Sequence, residues 1–394
     1  MLKRITKHSI VEFLDKLIPK NSSYWIMPVY FIGKGDFSDN ILAVYETVKK
    51  DPSIKKIILT REKQIEADKD SKNVVILPMN SLLAVWFLLR SKVIFVQHSV
   101  WLDLKAAKFQ IHKPLNRYII NLWHGIAPKD MTHDNTGIIN ERSKLEMPNY
   151  INIVSSQIDL ENKQKAFFLS KKENFWMTGN PRNDFLLTPE ELLPKTLQNE
   201  LTKLKNMVGE KKLLVYAPTY KETNVNGGYY HFNENELKML DQLLRQKNMI
   251  MGIRYHTYRR PAFYKDFFKY SSFYDLSSEV ISDFRVIMRV AEALITDYSS
   301  VYVDAVYLNK KCISFSYDLD HYKEIQRGFM APFESIFPGP ICKNFSSLFN
   351  EIENLDSQLN EKEKIQYSNV RNLLFKHIDS NNADRVVTLL KKII

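Results

Sequence analysis

The sequence predicts an α/β fold of two doubly wound, Rossmann-type domains facing a central cleft, and three observations carry that prediction. The chain has 394 residues, well beyond the ~100–200 of an ordinary single domain, so two cores are expected. Short β-rich runs alternate with helical segments throughout, the pattern of parallel sheets covered by helices. The alternation is interrupted once, by the polar helical stretch TPEELLPKTLQNELTKLKNMVGEKK, and then starts afresh.

At the start, Leu2, Ile5, Phe13, Leu14 and Leu17 share one helical face, with Lys3, Arg4, Lys7 and His8 on the rest and Pro19 as the stop. Such a basic amphipathic helix over 1–18 suits an anionic membrane surface, and packing on the first domain is an equal alternative. Strands are predicted at 24–31, 56–59, 74–77, 92–96, 117–122, 152–154 and 175–177, with helices at 39–50 and 81–89 between them. These elements form the first domain, residues 1–195, with the boundary near 188–210. The second domain, 196–394, has strands at 213–217, 249–255, 272–275, 293–296 and 312–316. Its tail from Ser346 reads as two helices rich in Lys and Glu that can close over the domain junction. No repeat of solenoid or propeller period is present.

Composition narrows the function. A hydrophobic fraction of 44% with 26% charged residues is that of a soluble globular protein, and a net charge of +11 favours an anionic partner: a phosphorylated small molecule, an anionic membrane surface or a nucleic acid. No RNP, KH or zinc-finger signature accompanies the scattered basic residues, so a non-catalytic nucleic-acid binder is the weaker alternative. Cys312 and Cys342 make neither a zinc spacing nor a disulfide framework, which fits a reducing, cytoplasmic compartment. The start lacks the apolar core and cleavage site of a signal peptide. The longest apolar stretch, LLAVWFLLRSKVIFV, is broken by Arg90-Ser91-Lys92 and is too short for the ~20 residues that span a bilayer.

The chemically capable residues fall at predicted strand ends, where doubly wound sheets bind ligands. In ALITDYSSVYVDAVYLNKK, a strand at 293–296 passes through Asp297-Tyr298-Ser299-Ser300 into a helix at 301–308. Free backbone N–H groups, two hydroxyls and the helix dipole make a phosphate cradle there, and plain capping by Ser299 and Ser300 is the alternative. Asp304 lies one turn beyond Ser300 on the same face. IRYHTYRR places Arg254, His256, Arg259 and Arg260 near one strand end, a cation density suited to a diphosphate, although a solvated basic loop explains Arg259 and Arg260 equally well. LLVYAPTYKET runs a strand into Pro218, Thr219 and Lys221. TGNPRNDFL does the same in the first domain, where Arg182 can reach an anion while Asn183 and Asp184 can cap the following helix. GKGDFSDN is neither GxGxxG nor a P-loop. In INLWHGIAPKD a β-type run ends in Trp123-His124-Gly125, so His124 is either a group aimed into the cleft or a polar residue at a strand end. HExxH, GxSxG and clustered Cys/His sites are absent from the sequence.

Together, WHG at 123–125, GNPRND at 179–184, YAPTYK at 216–221, RYH at 254–256 and ITDYSSVYVD at 295–304 stand in the order and approximate spacing of one family. FIGKGDFSDN and YDLDHYKEIQRGF extend the similarity across most of the chain. The set resembles the CDP-glycerol glycerophosphotransferases, the teichoic-acid primases and polymerases. That resemblance implies a GT-B-like fold, a CDP-glycerol or related CDP-polyol held mainly by the C-terminal domain, and transfer of its polyol phosphate with release of CMP. The implied acceptor is a hydroxyl of a lipid-linked saccharide or a growing teichoic-acid or capsule-type polymer, at the inner face of the cell membrane. His124 then matches the general base, His256 the diphosphate-contacting histidine, and Ser299 and Ser300 the phosphate-binding serines, with Arg254, Asp297, Asp304, Arg182, Thr219 and Lys221 as further donor-side residues. No metal ligand set is evident, and Mg²⁺ carried by the substrate is compatible with the chemistry. Two departures bear on substrate identity: Ile126-Ala127 stands where Thr-Pro often follows WHG, and Thr257 stands where Pro often follows the second histidine. At this length the chain resembles a primase or short capsule-type enzyme more than a large polymerase. A UDP-sugar glycosyltransferase or epimerase of GT-B type is the rival enzyme reading.

Overall fold

The computed structural model describes residues 13–29, 37–61, 65, 68–107, 116–131, 149–166, 170–219, 229–255, 260–320, 322 and 328–394. They form two compact units, one of Met1–Ile126, Asp134–Phe185 and Asp379–Ile394, the other of Ala127–His133 and Leu186–Ile378.

The first unit is built on a parallel sheet of β1 (Asn21–Pro28), β2 (Lys55–Thr60), β3 (Val74–Pro78), β4 (Ser91–Val96), β5 (Tyr118–Asn121), β6 (Tyr150–Ile153) and β7 (Phe175–Trp176). Its order is β3-β2-β1-β4-β5-β6-β7. Strands such as KKIILT and SKVIFV are buried along almost their whole length, which is why they read as continuous apolar runs rather than alternating ones. Helices Asp39–Val48, Leu82–Arg90 and Gln157–Ala166 provide crossovers. The strand order reverses between β1 and β4, the switch point where doubly wound sheets open to ligands.

The second unit repeats the plan with β8 (Lys212–Tyr216), β9 (Met249–Ile253), β10 (Phe273–Asp275), β11 (Ala293–Thr296), β12 (Lys311–Phe315) and β13 (Ile341–Cys342), in the order β10-β9-β8-β11-β12-β13. Its switch point lies between β8 and β11. Every strand expected from the sequence is present. β13 was not foreseen, because a two-residue strand leaves no periodicity to read.

The division of the chain differs from the expected 1–195 and 196–394. The break falls after Phe185, and the last helix, Asn382–Lys391, belongs to the first unit. Buried Asp184 explains this: its carboxylate accepts the backbone N–H of Asn382 at 2.9 Å, the Asn382 Nδ2 at 2.7 Å and the N–H of Ala383 at 2.8 Å, so it caps the terminal helix rather than the helix after it. Gly179, at φ +81°, lets Asn382 approach so closely that a Cβ would lie 2.0 Å from its Oδ1. The tail also holds three helices, not two. Asn360 and Glu363 form a capping box that starts Glu361–Leu374 separately from Phe345–Glu353.

Residues 13–17 are helical and are tied to the first unit by ion pairs. Buried Asp15 meets Lys20 at 2.9 Å and also the fully buried Arg117, whose Nη1 donates to the Leu88 carbonyl at 2.8 Å. Breaking a buried pair by removing one partner is strongly destabilising, because it strands the other charge. Arg117→Ala is therefore expected to lower the unfolding free energy by about 3 kcal/mol or more in urea denaturation. A loss below about 1 kcal/mol would place this pair among weak surface contacts.

Candidate functional site

The WHG turn is held residue by residue. β5 delivers buried Ile119, Ile120 and Asn121, and the Asn121 Oδ1 accepts the backbone N–H of Trp123 at 3.1 Å. Trp123 sits at φ +53°, and its carbonyl accepts Nδ2 of the fully buried Asn40 at 2.8 Å. Its ring is covered by the buried Lys163 ammonium, 5.2 Å from the centroid. Gly125 follows at φ +138°, and a Cβ there would lie 2.8 Å from Arg182 Nη2. The backbone conformation requires glycine at this point, and the absent side chain leaves room for the Arg182 guanidinium.

His124, between them, is exposed. Its ring stacks on that of His98 at 4.7 Å between centroids and 12° between planes. His98 lies just past β4, the neighbour of β5, with Val96 paired to Asn121. Surrounding protein first, then the charges of His98, Arg182 and Lys163, hold the His124 pKa down, to about 3, against a hydrogen bond with the Gln97 backbone. Solvent access to the ring tempers the depth of that shift but not its direction. The imidazole is therefore neutral at pH 7 and able to accept a proton. Arg182 is placed by its backbone N–H, which donates to Asn40 Oδ1 at 2.9 Å, and its Nη1 lies 3.7 Å from Asp39 Oδ1.

In the second unit, Asp297 joins the ends of β8 and β11. It is buried, and its Oδ1 accepts the N–H of Thr219 at 2.8 Å and of Tyr298 at 2.6 Å. Ser299 and Ser300 follow at the surface, and neither hydroxyl has a hydrogen bond among the described residues. The expected capping role is not realised. The helix runs Tyr302–Tyr307, with Val301 at its N-cap and no capping side chain. The N–H groups of Tyr302, Val303 and Asp304 bond back to the carbonyls of Ser299, Ser300 and Val301 at 3.1–3.4 Å. What this turn offers an anion is two free hydroxyls beside the amides of 299–301. Asp304 is buried rather than on the exposed side with Ser300, because Ser300 precedes the helix and does not share its wheel.

Arg254 has a structural role that the sequence does not show. Its guanidinium clamps the loop after β10, donating to the carbonyls of Leu276 at 2.8 Å, Ser282 at 3.0 Å and Ile281. Burial pushes its pKa down to about 10. Arg254 anchors this loop in the structure. Arg260 pairs with Glu279 at 2.9 Å. His256, Arg259, Lys221 and the glycines of GKGDFSDN lie outside the described residues. Among the described residues no group of three or more His, Cys, Asp or Glu is arranged to hold a metal ion. His98 was missed by sequence reasoning; the available signal was a histidine directly beyond the strand SKVIFV, followed by a Ser99 cap and Asp103.

Residues 26–392 match the family model described as CDP-Glycerol:Poly(glycerophosphate) glycerophosphotransferase. The chain is 30% identical over 376 residues to the teichoic acid glycerol-phosphate transferase of Staphylococcus aureus, covering 91% of each protein. It is 28% identical over 369 residues to a teichoic acid poly(glycerol phosphate) polymerase of Bacillus spizizenii, covering 88% of this chain and 86% of that protein. To the teichoic acid ribitol-phosphate primase of the same species it is 25% identical over 407 residues, covering 97% and 94%. A polymerase and a primase are thus both matched over most of their length, so length does not separate the two. Among solved structures, the wall teichoic acid polymerase TagF aligns with a TM-score of 0.76 at 20% identity, over 98% of this chain and 92% of that one. A UDP-N-acetylglucosamine 2-epimerase aligns with a TM-score of 0.52 at 14% identity, over 94% and 95%. These likenesses establish the GT-B-like fold.

Proposed function

The chain belongs to the CDP-glycerol:poly(glycerophosphate) glycerophosphotransferase family, and from that premise we propose that it moves glycerol phosphate from CDP-glycerol to a hydroxyl of a lipid-linked teichoic-acid or capsule-type acceptor. The acceptor oxygen forms a bond to the β-phosphorus of CDP-glycerol, the bond from that phosphorus to the bridging oxygen breaks, and CMP leaves. His124 takes the acceptor proton. Burial is the main cause of its low pKa, and the charges of Arg182 and Lys163 add to it; an anionic substrate offsets that added part and makes the imidazole a stronger base than in the unliganded protein. Ser299, Ser300 and the amides of 299–301 receive the diphosphate, with Thr219 fixed beside them by Asp297. His256 and Lys221 are assigned to the same anion by their sequence positions, and Asp304 to support of the serine turn. Mg²⁺ arriving with the diphosphate would share its charge.

The observation that carries this reading is the WHG turn: a glycine required by its backbone conformation, with Arg182 packed against it, follows one neutral, accessible imidazole. CMP release from CDP-glycerol in the presence of a lipid-linked acceptor tests it, and absence of CMP with every CDP-polyol would refute it. Glycerol is favoured over ribitol because the family model and two of the relatives above carry glycerol phosphate in their descriptions.

Peripheral attachment to the inner membrane face completes the proposal. Among the described residues no helix is long and apolar enough to cross a membrane. Phe13 and Leu17, however, are 61% and 62% exposed on a segment held in place by Asp15. Phe13→Ser with Leu17→Ser should weaken binding to anionic vesicles by about tenfold or more while turnover on a soluble acceptor analogue persists. Unchanged vesicle binding would reject this segment as an anchor. Deleting 1–18 is the poorer test, because it also removes Asp15 from Arg117.

A further inference from the structure

We propose that His98 is a positioning residue for His124, holding the plane of the catalytic ring through a face-to-face stack; the inference rests on His124 being the base. His124 is exposed, and an exposed side chain ordinarily samples several rotamers. Here one face of its ring is covered by His98 at 4.7 Å, nearly parallel. Stacked aromatic pairs gain energy from this offset geometry beyond the area they bury.

The loop that carries His98 is itself held from several sides. The Asp103 Oδ2 accepts the N–H groups of Gln97 at 2.8 Å, His98 at 2.9 Å and Ser99 at 3.1 Å. Its other oxygen lies 3.5 Å from His98 Nδ1. Ser99 Oγ accepts the N–H of Leu102 at 3.1 Å, and Arg61 Nη2 donates to the carbonyls of Leu102 and Asp103 at 3.2 and 3.1 Å. One buried carboxylate therefore fixes the backbone of residues 97–99 and faces the His98 ring, which leaves the flat ring as a fixed wall. Because β4 and β5 are neighbours, that wall stands beside the WHG turn. The other charged groups about His124 come from different elements: Arg182 with Asp39, and Lys163 with Asp159. None of these supplies a parallel ring.

A misplaced base lowers the rate of the chemical step without weakening donor binding. His98→Ala should lower kcat by about tenfold or more with KM for CDP-glycerol within about twofold. His98→Phe, which keeps a flat ring and removes the nitrogens, should recover most of kcat. In the unliganded protein with labelled histidines, the His124 ring resonance should shift in His98→Ala and stay near its wild-type position in His98→Phe. The proposal is overturned if His98→Ala keeps kcat within twofold of wild type, or if both variants are equally impaired while the His124 resonance does not move. Normal turnover in His124→Ala would instead refute the functional reading, and the resonance measurement would still decide whether His98 holds the ring.

Discussion

His124→Ala should reduce CMP release by about a thousandfold while CDP-glycerol binding stays within about threefold of wild type. A positioned general base contributes roughly 10²–10⁴ in rate, and His124 lies in a turn separate in sequence from the serine cradle assigned to the donor. Rapid-quench turnover with calorimetric donor binding separates the two effects. Near-normal turnover would return His124 to a polar residue at a strand end. Its protonation behaviour adds a second readout. The folded-state pKa lies below the ordinary ~6.5, so the unfolded chain binds more protons between the two values. The stability associated with this group is present above about pH 6.5 and declines as pH falls below it. In the unliganded enzyme the acidic limb of kcat/KM should likewise sit below pH 6.5; a limb at or above that value would contradict the depressed pKa.

Ser299→Ala with Ser300→Ala should lower kcat/KM for CDP-glycerol by about a hundredfold or more and leave the melting temperature almost unchanged. A hydrogen bond to a charged group contributes about 1.5–3 kcal/mol, and two are removed. Neither hydroxyl has a hydrogen bond within the described protein, so no folded-state contact is lost. The combination separates two roles. Capping serines replaced by alanine would cost about 1 kcal/mol each in stability with little effect on the donor. Loss of stability with donor kinetics intact would therefore contradict the phosphate cradle.

The strands were legible because parallel strands buried on both faces leave continuous apolar runs, as in KKIILT and SKVIFV. The WHG histidine and the YSS turn were legible because each follows such a run directly. The features that sequence missed all depend on contacts remote in the chain. Nothing in a linear reading puts His98 against His124; their contact follows from the pairing of β4 with β5. Arg254 stands beside a strand end, and the carbonyls that engage it come from residues 276–282, which a linear reading does not place there. The terminal helix reads as part of the second domain in the sequence, whereas Asp184 caps it across 198 residues of chain. Ser299 and Ser300 had the composition of caps, yet the backbone of 299–304 satisfies itself through tight-turn bonds.

The most direct test of polyol-phosphate transfer is a single incubation of the enzyme and a lipid-linked acceptor with CDP-glycerol, CDP-ribitol and UDP-N-acetylglucosamine, followed by nucleotide chromatography and mass analysis of the acceptor. The account predicts CMP appearing in step with glycerol phosphate units on the acceptor, the UDP-sugar left intact, and both signals lost in His124→Ala. UDP release or epimerised sugar without any CMP would contradict it.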